Sequence, residues 1–245
     1  MKPERGQTME LRRTLRQTYA LAAAVAAAPG CRTASCTAHS GLGCGSPTAF
    51  AGLLPDQRVL DLGCGAGFDC LAAAVEVGRG GFVVGLDLTP DMLRLARRHA
   101  TDAGATTVGF VEAEIETLPF PEASFDVVIS NCVFNLCADK PRALAEAARV
   151  LQPGGRLAFS DIVAVRPLPA SVLSDLALYT GCVAGAVTMQ NVFALLHDAG
   201  FATVDIVIAE HSSALLEAWA PGADLERYIA SANITARKTA APAAN

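Results

Sequence analysis

Residues 59–67 read Val-Leu-Asp-Leu-Gly-Cys-Gly-Ala-Gly, and this stretch decides the fold of the chain. Its first four residues have the apolar character of a buried strand, and the next five form a glycine-rich turn. Glycines allow the backbone to pass close to a ligand, and the start of a following helix offers free amide donors. The stretch therefore predicts a strand, a ligand-binding loop and a helix in direct succession.

Short apolar or β-branched runs alternate with helical stretches from Gln57 onward. Such alternation is typical of an α/β fold of the Rossmann-like class, with a mostly parallel sheet and helices on both faces. The predicted strands are 58–61, 81–86, 107–112, 125–130, 155–160, 203–208 and 229–237. The predicted helices are 10–28, 69–77, 90–103, 140–151, 171–179 and 188–199.

The chain has 245 residues, which fits one large α/β domain with appended cap segments. Residues 51–162 hold the alternating pattern and form the predicted core. Residues 1–50 contribute a predicted N-terminal helix and a cysteine-bearing cap segment, and residues 163–245 contribute cap helices and the closing strands.

Composition excludes several classes of partner. The net charge of -5 and the charged fraction of 18% leave no basic face for a nucleic acid. The longest apolar run, residues 20–28, is less than half as long as a membrane-spanning helix, so we expect no membrane association.

Eight cysteines occur in a chain large enough to fold without disulfides, so we expect reduced thiols and a cytoplasmic protein. The cysteine spacing does not match a zinc site.

The glycine spacing distinguishes between two kinds of cofactor. It is Gly-x-Gly-x-Gly, whereas dinucleotide-binding enzymes use Gly-x-Gly-x-x-Gly to hold a pyrophosphate. Asp61 ends the strand beside the loop, where a carboxylate suits a cationic ligand such as S-adenosylmethionine better than a diphosphate. Asp87 ends the second strand, where it is placed to accept hydrogen bonds from both hydroxyls of a ribose.

Two further strand ends face the same crevice. Glu114 and Ile115 follow the third strand and are expected to frame the adenine, and Asn131 ends the fourth strand. The predicted cofactor-binding residues are Asp61, Gly63, Gly65, Gly67, Asp87, Leu88, Met92, Glu114, Ile115 and Asn131. The glycine loop, followed in order by these residues at the ends of the second, third and fourth strands, predicts an S-adenosylmethionine-dependent methyltransferase.

Cysteine-bearing segments carry a more specific signal than the glycine loop. They are residues 42–49 (LGCGSPTA), 67–70 (GFDC), 130–136 (SNCVFNL), 139–141 (DKP) and 181–186 (GCVAGA). With these segments the chain resembles the arsenite S-adenosylmethionine methyltransferases from about Gly41 to Lys238. The resemblance implies a seven-stranded sheet, methyl transfer to arsenite or methylarsenite, and a role in arsenic detoxification.

The same resemblance implies roles for three cysteines. Cys44 and Cys182 would hold trivalent arsenic, and Cys70 would be their exchange partner. Trivalent arsenic is soft, binds thiolates and keeps a lone pair that attacks a sulfonium methyl group, so the transfer needs no general base. Methylation oxidises arsenic, so a thiol reductant, glutathione or a thioredoxin-type protein, is the expected co-substrate and partner. Cys70 begins a helix, a position expected to favour its thiolate.

The chain departs from this family near its last strand. Many members carry a fourth cysteine where this chain reads Leu225-Glu226-Arg227-Tyr228, and no cysteine follows Cys182. The missing thiolate is expected to weaken binding of inorganic arsenite and to favour a methylated or glutathione-bound arsenical. The number of methylations stays open.

Each remaining cysteine has a simpler interpretation as a small buried apolar residue. We favour this interpretation for Cys64 and Cys132, and we leave the roles of Cys31, Cys36 and Cys137 open. Two other functions also stay open. One is a methyltransferase for a small organic acceptor of the quinone-precursor type, and the other is a metalloid-binding or S-adenosylmethionine-binding protein without turnover. A fold of this class hosts many functions, so the sheet alone does not decide among them.

Overall fold

The computed structural model describes residues 5–26, 43–168, 183, 185–219 and 225–240. Its strands in these ranges are β1 (Arg58–Leu62), β2 (Phe82–Asp87), β3 (Val108–Glu112), β4 (Phe125–Asn131), β5 (Leu151–Ala164), β6 (Val187–Thr188), β7 (Phe201–Ile208) and β8 (Ile229–Lys238). Its α-helices there are α1 (Arg5–Ala26), α2 (Phe68–Val77), α3 (Pro90–Asp102), α4 (Lys140–Val150), α5 (Met189–Asp198) and α6 (Ser212–Trp219). The predicted Rossmann-like α/β fold is confirmed.

The described strands form one sheet in the order β3-β2-β1-β4-β5-β8-β7. β1 to β5 run parallel to one another, whereas β8 runs antiparallel to both β5 and β7. The two-residue β6 pairs with β5 outside this order, so the sheet has the implied seven strands plus one short addition. The chain leaves β1 toward β2 on one side and returns to β4 on the other. Ligands bind at such a switch point, outside the carboxyl ends of the strands.

Two apolar clusters cover the two faces of this sheet. Alternate residues of a strand point to opposite faces, and accordingly Leu60 packs in the first cluster and Val59 in the second. α4 and α5 contribute Leu144 and Leu196 to the first cluster, and α3 contributes Leu93 to the second. No described helix combines the length and the hydropathy that crossing a bilayer requires.

Side-chain caps fix the starts of two helices. Asp139 accepts a hydrogen bond from the backbone amide of Arg142 at the start of α4, and Thr188 accepts one from Asn191 at the start of α5. Each cap satisfies an amide that the first turn of a helix leaves free. The predicted starts of these two helices, near residues 140 and 188, agree with the structure.

β5 differs most from its predicted bounds. It begins at Leu151, where the sequence pattern predicts the end of a helix, because Leu151 pairs with Phe125 of β4 ahead of an irregularity in the ladder. It extends to Ala164 because β8 pairs with it from Arg156 onward. Such pairing partners lie far away in the sequence, so local periodicity does not reveal them.

Two helices also differ from the prediction. α6 has no predicted counterpart, and α1 begins at Arg5 rather than near residue 10. The helix predicted at 171–179 lies outside the described residues. The division into residues 1–50, 51–162 and 163–245 stays a prediction.

Leu157 tests the packing of β5 at the centre of the sheet. It is fully buried and lies between Val128 of β4 and Ala236 of β8. We expect Leu157→Ala to lower the free energy of unfolding by about 2–5 kcal/mol, because it leaves a cavity in a well-packed core. The exposed Leu54 is the matched control, and Leu54→Ala should change the same quantity by less than about 0.5 kcal/mol in urea unfolding. Similar effects of the two changes would contradict this account of the core.

Candidate active site

A cavity of about 370 Å³ lies at the carboxyl ends of β1, β2 and β4. Its walls include residues 63–66, 87–89, 113–116 and 131–133, together with Leu11, Arg12, Leu15 and Tyr19 of α1. Such a volume suits a small-molecule ligand. The predicted cofactor-binding residues that line it are Gly63, Gly65, Asp87, Leu88, Met92, Glu114, Ile115 and Asn131. The other two, Asp61 and Gly67, are not among the lining residues.

The glycine loop is fastened to the end of β2. The backbone amides of Gly63 and Cys64 both donate to the carbonyl of Leu86, at 2.7 and 2.9 Å. Gly63 has a φ of +70°, and a Cβ atom at this residue would lie 2.4 Å from a methyl group of Val133. Only glycine fits this combination of conformation and close approach. The loop therefore passes directly beneath the cavity.

Asp87 is held by two backbone amides at the cavity wall. Gly65 donates to one carboxylate oxygen at 2.9 Å, and Thr89 donates to the other at 2.8 Å. Burial raises the pKa of Asp87, and these two hydrogen bonds lower it in part. The residue lies in the cavity wall, where the predicted role is to accept hydrogen bonds from a pair of ribose hydroxyls.

Asp61 lies beneath the loop rather than in the cavity wall. Its buried carboxylate accepts a hydrogen bond from the thiol of Cys70, with 3.1 Å between sulfur and oxygen. Burial raises the pKa of Asp61 well above its usual range, and the negative charge of Asp69 raises it further. Asp69 itself lines the cavity, so sequence reasoning missed the carboxylate that is placed to meet a ligand there.

The expectation that the helix start favours the Cys70 thiolate is wrong. Burial raises the pKa of this thiol well above its usual range, and the adjacent Cys64 and Asp61 raise it further. Cys70 packs with Cys64 and Val83 in the second apolar cluster, whereas Cys44 packs in a different cluster. A neutral thiol is a poor nucleophile. Burial of Cys70 therefore raises the pKa of its thiol by more than the start of the helix lowers it.

α1 closes one side of the cavity. It packs against α3, and Leu15 is buried where the helix meets the cavity. Arg12 forms an ion pair with Glu114 at 2.8 Å. Both side chains are about one-third exposed, so this pair contributes only about 0–1 kcal/mol, whereas burial of Leu15 contributes about 1.5–3 kcal/mol. Apolar contact therefore holds α1 in place more than charge does.

Asn131 connects the start of α2 to the cysteine-bearing segment. Its side-chain amide nitrogen donates to the carbonyl of Gly45 at 2.7 Å and to the carboxylate of Asp69 at 3.0 Å. Its side-chain oxygen accepts the backbone amide of Cys44 at 3.0 Å. Although Asn131 lines the cavity, most of its hydrogen-bonding capacity is used within the protein.

A disulfide joins Cys44 to Cys132, with 5.7 Å between the Cα atoms. The expectation of reduced thiols and the interpretation of Cys132 as a packing residue are therefore wrong for this pair. Cys132 follows β4 with a φ of +60°, a conformation that costs a residue other than glycine about 1 kcal/mol or more. It also lines the cavity. The position of Cys132 directly after the end of a central strand was the sequence signal that could have identified it as a residue of the site.

The disulfide is surrounded by apolar residues and one carboxyl group. Cys44, Cys132 and Val183 belong to one buried cluster. One carboxyl oxygen of Asp161 lies within 4.8 Å of both sulfur atoms. Burial raises the pKa of Asp161 to about 7. Cys182 lies outside the described residues, although Val183, which follows it in the sequence, packs in this cluster.

Comparison with known proteins identifies the family. The chain matches a methyltransferase-domain family over residues 53–200. It is 48% identical over 203 residues to the arsenite methyltransferase of Halobacterium salinarum, a match that covers 83% of this chain and 52% of that protein. The crystal structure of an arsenic(III) S-adenosylmethionine methyltransferase from Chlamydomonas reinhardtii has a TM-score of 0.69 at 36% identity, covering 91% of this chain and 74% of that chain. This chain belongs to the arsenite S-adenosylmethionine methyltransferase family.

Membership in the arsenite methyltransferase family confirms the resemblance that the cysteine-bearing segments indicated. The human arsenite methyltransferase is 36% identical over 160 residues, covering 62% of this chain and 43% of that protein. The chain thus spans about half the length of the curated arsenite methyltransferases that it matches.

Leu15 provides a test of the part that α1 plays in ligand binding. Leu15→Glu places a carboxylate in a buried apolar contact and should displace α1 from the cavity. We expect the affinity for S-adenosylhomocysteine, measured by titration calorimetry, to fall by about tenfold or more. Leu21 lies on the same helix but is 69% exposed, so Leu21→Glu should leave that affinity unchanged. Equal affinities of the two variants would show that α1 plays no part in binding.

Asp61 and Glu146 should affect the pH dependence of stability with opposite signs. The folded protein holds a proton on Asp61 above the unfolded pKa of about 3.9, so stability falls as pH rises through this window. Arg149 lowers the pKa of Glu146 through its hydrogen bonds, so that contribution is instead lost as pH falls below about 4.5. Asp61→Asn should therefore reduce the decline in the free energy of unfolding above pH 4. Glu146→Gln should reduce the loss of that free energy below about pH 4.5. Urea unfolding at a series of pH values measures both, and slopes that shift together would refute this assignment.

Proposed function

We propose that this protein transfers a methyl group from S-adenosylmethionine to thiolate-bound trivalent arsenic, with arsenite or methylarsenite as the acceptor. The observation that carries the proposal is the buried Cys44–Cys132 pair, of which Cys132 is a lining residue of the cavity, in a member of the arsenite methyltransferase family. The product would be a methylated arsenical, as expected for arsenic detoxification. We place the reaction in the cytoplasm, where thiol reductants keep cysteines reduced.

The cavity has groups suited to each part of S-adenosylmethionine. Asp87 offers oxygen acceptors to the ribose hydroxyls, and the apolar side chains of Leu88, Met92 and Ile115 offer a surface for the adenine. Asp61 was expected to place a carboxylate beside the cationic cofactor. Asp69 is better placed for this role, because it lines the cavity and is only half-buried. When bound, the cofactor supplies an electrophilic methyl group on a positively charged sulfur.

Cys44 and Cys182 are the proposed arsenic ligands. Thiolates bind trivalent arsenic strongly and leave its lone pair free. The protein then has to hold that lone pair in line with the methyl group at near-attack distance and keep water out. Burial of Cys44 and the packing of Val183 in the same cluster support this arrangement.

A thiol reductant is the proposed co-substrate, because methylation oxidises arsenic and the thiols have to be restored. Glutathione or a thioredoxin-type protein would serve. The role of Cys70 as exchange partner stays a prediction, and its burial beside Asp61 gives it no support.

The segment that lacks the family's fourth cysteine packs beside the proposed arsenic site. Leu225 and Tyr228 contact the cluster that contains Cys44, and Arg227 lies between them in sequence. A cysteine in this segment would supply a further thiolate beside the proposed arsenic site. For this reason we propose a methylated or glutathione-bound arsenical as the preferred acceptor over inorganic arsenite.

Product analysis with labelled S-adenosylmethionine tests this function. Purified protein is incubated with a thiol reductant and either arsenite or methylarsenite, and arsenicals are separated by chromatography with arsenic-specific detection. We expect labelled methylated arsenicals, with faster transfer to methylarsenite than to arsenite. Cys44→Ser and Cys182→Ser should each abolish product while S-adenosylhomocysteine still binds.

Two outcomes would contradict the proposal in different ways. Intact cofactor binding with no label on either arsenical would favour a small organic acceptor instead. Tight binding of arsenicals without any methylated product would favour a binding protein that does not turn over.

A further inference from the structure

Residues 183–188 join the sheet next to the proposed acceptor site. Within this stretch the structure describes Val183 and residues 185–188. Val183 packs in the buried cluster that contains Cys44, and β6 pairs with the end of β5. Between these two contacts the amide of Ala186 donates to the carbonyl of Val183 at 3.1 Å, which closes a tight turn.

Gly185 lies in this turn, directly against the carbonyl group of Asn135. A Cβ atom on Gly185 would lie 2.0 Å from the carbonyl oxygen and 2.9 Å from the carbonyl carbon. Both atoms belong to the backbone, so they cannot rotate away as the end of a long side chain could. Only a residue without a side chain allows the turn to pack this close to Asn135.

Asn135 is held by three hydrogen bonds, so its carbonyl has little freedom to move. Its backbone amide donates to the carboxyl group of Asp161 at 3.1 Å, and its side-chain amide donates to the carbonyl of Ile162 at 2.7 Å. The ammonium group of Lys140, at the start of α4, donates to the Asn135 carbonyl itself at 3.2 Å. Asn135 is buried, so displacing it would leave buried polar groups without partners. The turn that packs on this carbonyl therefore rests on a fixed part of the sheet.

We infer that Gly185 is a positioning residue for the proposed reaction, because its contact with the Asn135 carbonyl sets how close the segment that carries Cys182 lies to the sheet. The inference rests on the proposed function, in which Cys182 is an arsenic ligand. Cys182 lies outside the described residues, but it is bonded directly to Val183. Gly185 is not among the residues that line the cofactor cavity, so it acts through this segment and not on the cofactor.

An added methyl group at residue 185 would force the segment away from the sheet. Ordinary van der Waals contact begins near 3.4 Å, so the approach of 2.0 Å would have to lengthen by about 1.4 Å. A misplacement of about 1 Å can lower the rate of a group-transfer reaction by about a hundredfold. The glycine loop and Asp87 belong to other elements, so cofactor binding should survive the shift.

Two affinities of the full, reduced chain separate positioning from a general structural effect. Gly185→Ala should bind methylarsenite about tenfold or more weakly in native mass spectrometry, because the segment that carries one proposed ligand is displaced. Its affinity for S-adenosylhomocysteine, measured by titration calorimetry, should equal that of the wild type. Gly104 is the matched control, since a Cβ atom there meets open space and its φ of +65° makes Gly104→Ala a strained exchange far from the site. Both affinities of Gly104→Ala should be those of the wild type.

Lys140→Met gives a milder second variant in case Gly185→Ala does not fold. It keeps most of the length of the side chain but removes the ammonium group that holds the Asn135 carbonyl. We expect the same pattern with a smaller size, a loss of about threefold in methylarsenite affinity with unchanged binding of S-adenosylhomocysteine.

Alkylation of Cys182 reports directly on the segment. The reduced protein is treated with a maleimide, with and without methylarsenite, and modified peptides are quantified by mass spectrometry. Methylarsenite should protect Cys182 in the wild-type protein and in Gly104→Ala, but much less in Gly185→Ala. In turnover with S-adenosylmethionine, kcat of Gly185→Ala should fall about tenfold or more while KM for the cofactor stays unchanged.

The outcomes separate this inference from the proposed function. Wild-type affinity for methylarsenite and wild-type kcat in Gly185→Ala would overturn the inference while methylation itself stands. A parallel loss of methylarsenite and cofactor affinity would also overturn it, because it would show that Gly185 only supports the fold. Absence of any methylated product from the wild-type protein would overturn the proposed function, and the two methylarsenite affinities would still decide the role of Gly185.

Discussion

The side-chain amide of Asn131 is the constraint on which the geometry of the site depends. It binds the backbone of Cys44 and Gly45 on one side and the carboxylate of Asp69 on the other. Asn131 also ends β4, the strand next to β1 at the switch point of the sheet. One residue thus fixes the cysteine-bearing segment relative to the start of α2, which follows the glycine loop. The proposed methyl transfer would require such a fixed position, because it tolerates little misplacement.

The cofactor side of the molecule could be predicted from sequence because its parts follow local rules. The glycine loop and Asp87 lie at the ends of adjacent parallel strands, so their sequence order determines their place in space. The start of β5 could not be predicted in this way. A helical pattern continues through Leu151, and only pairing with Phe125 makes this residue the first of a strand. The helical preference of the local sequence is therefore overridden by pairing with a strand residue that the pattern does not identify.

The cysteines show the same division between local and non-local causes. A helix start lowers the pKa of a thiol in general, but the packing around Cys70 reverses that effect because burial disfavours the charged form. Cys132 is bonded to Cys44, which is 88 residues away in sequence. Sequence reasoning identified Cys44 as a candidate ligand but interpreted Cys132 as a packing residue, because it could not determine which thiols meet.

The apolar setting of the Cys44–Cys132 pair suits arsenic better than a divalent metal ion. Both sulfurs lie in a buried cluster with Ile162 and Leu216, where an uncompensated charge is costly. A divalent cation would require two thiolates to form there, and the carboxyl group beside them, that of Asp161, already accepts two backbone amides. Methylarsenite instead exchanges its two hydroxyl groups for two sulfurs and releases two waters, so a neutral dithiol becomes a neutral adduct. Burial, which makes Cys70 a poor nucleophile, therefore does not oppose the proposed capture of an uncharged metalloid at Cys44.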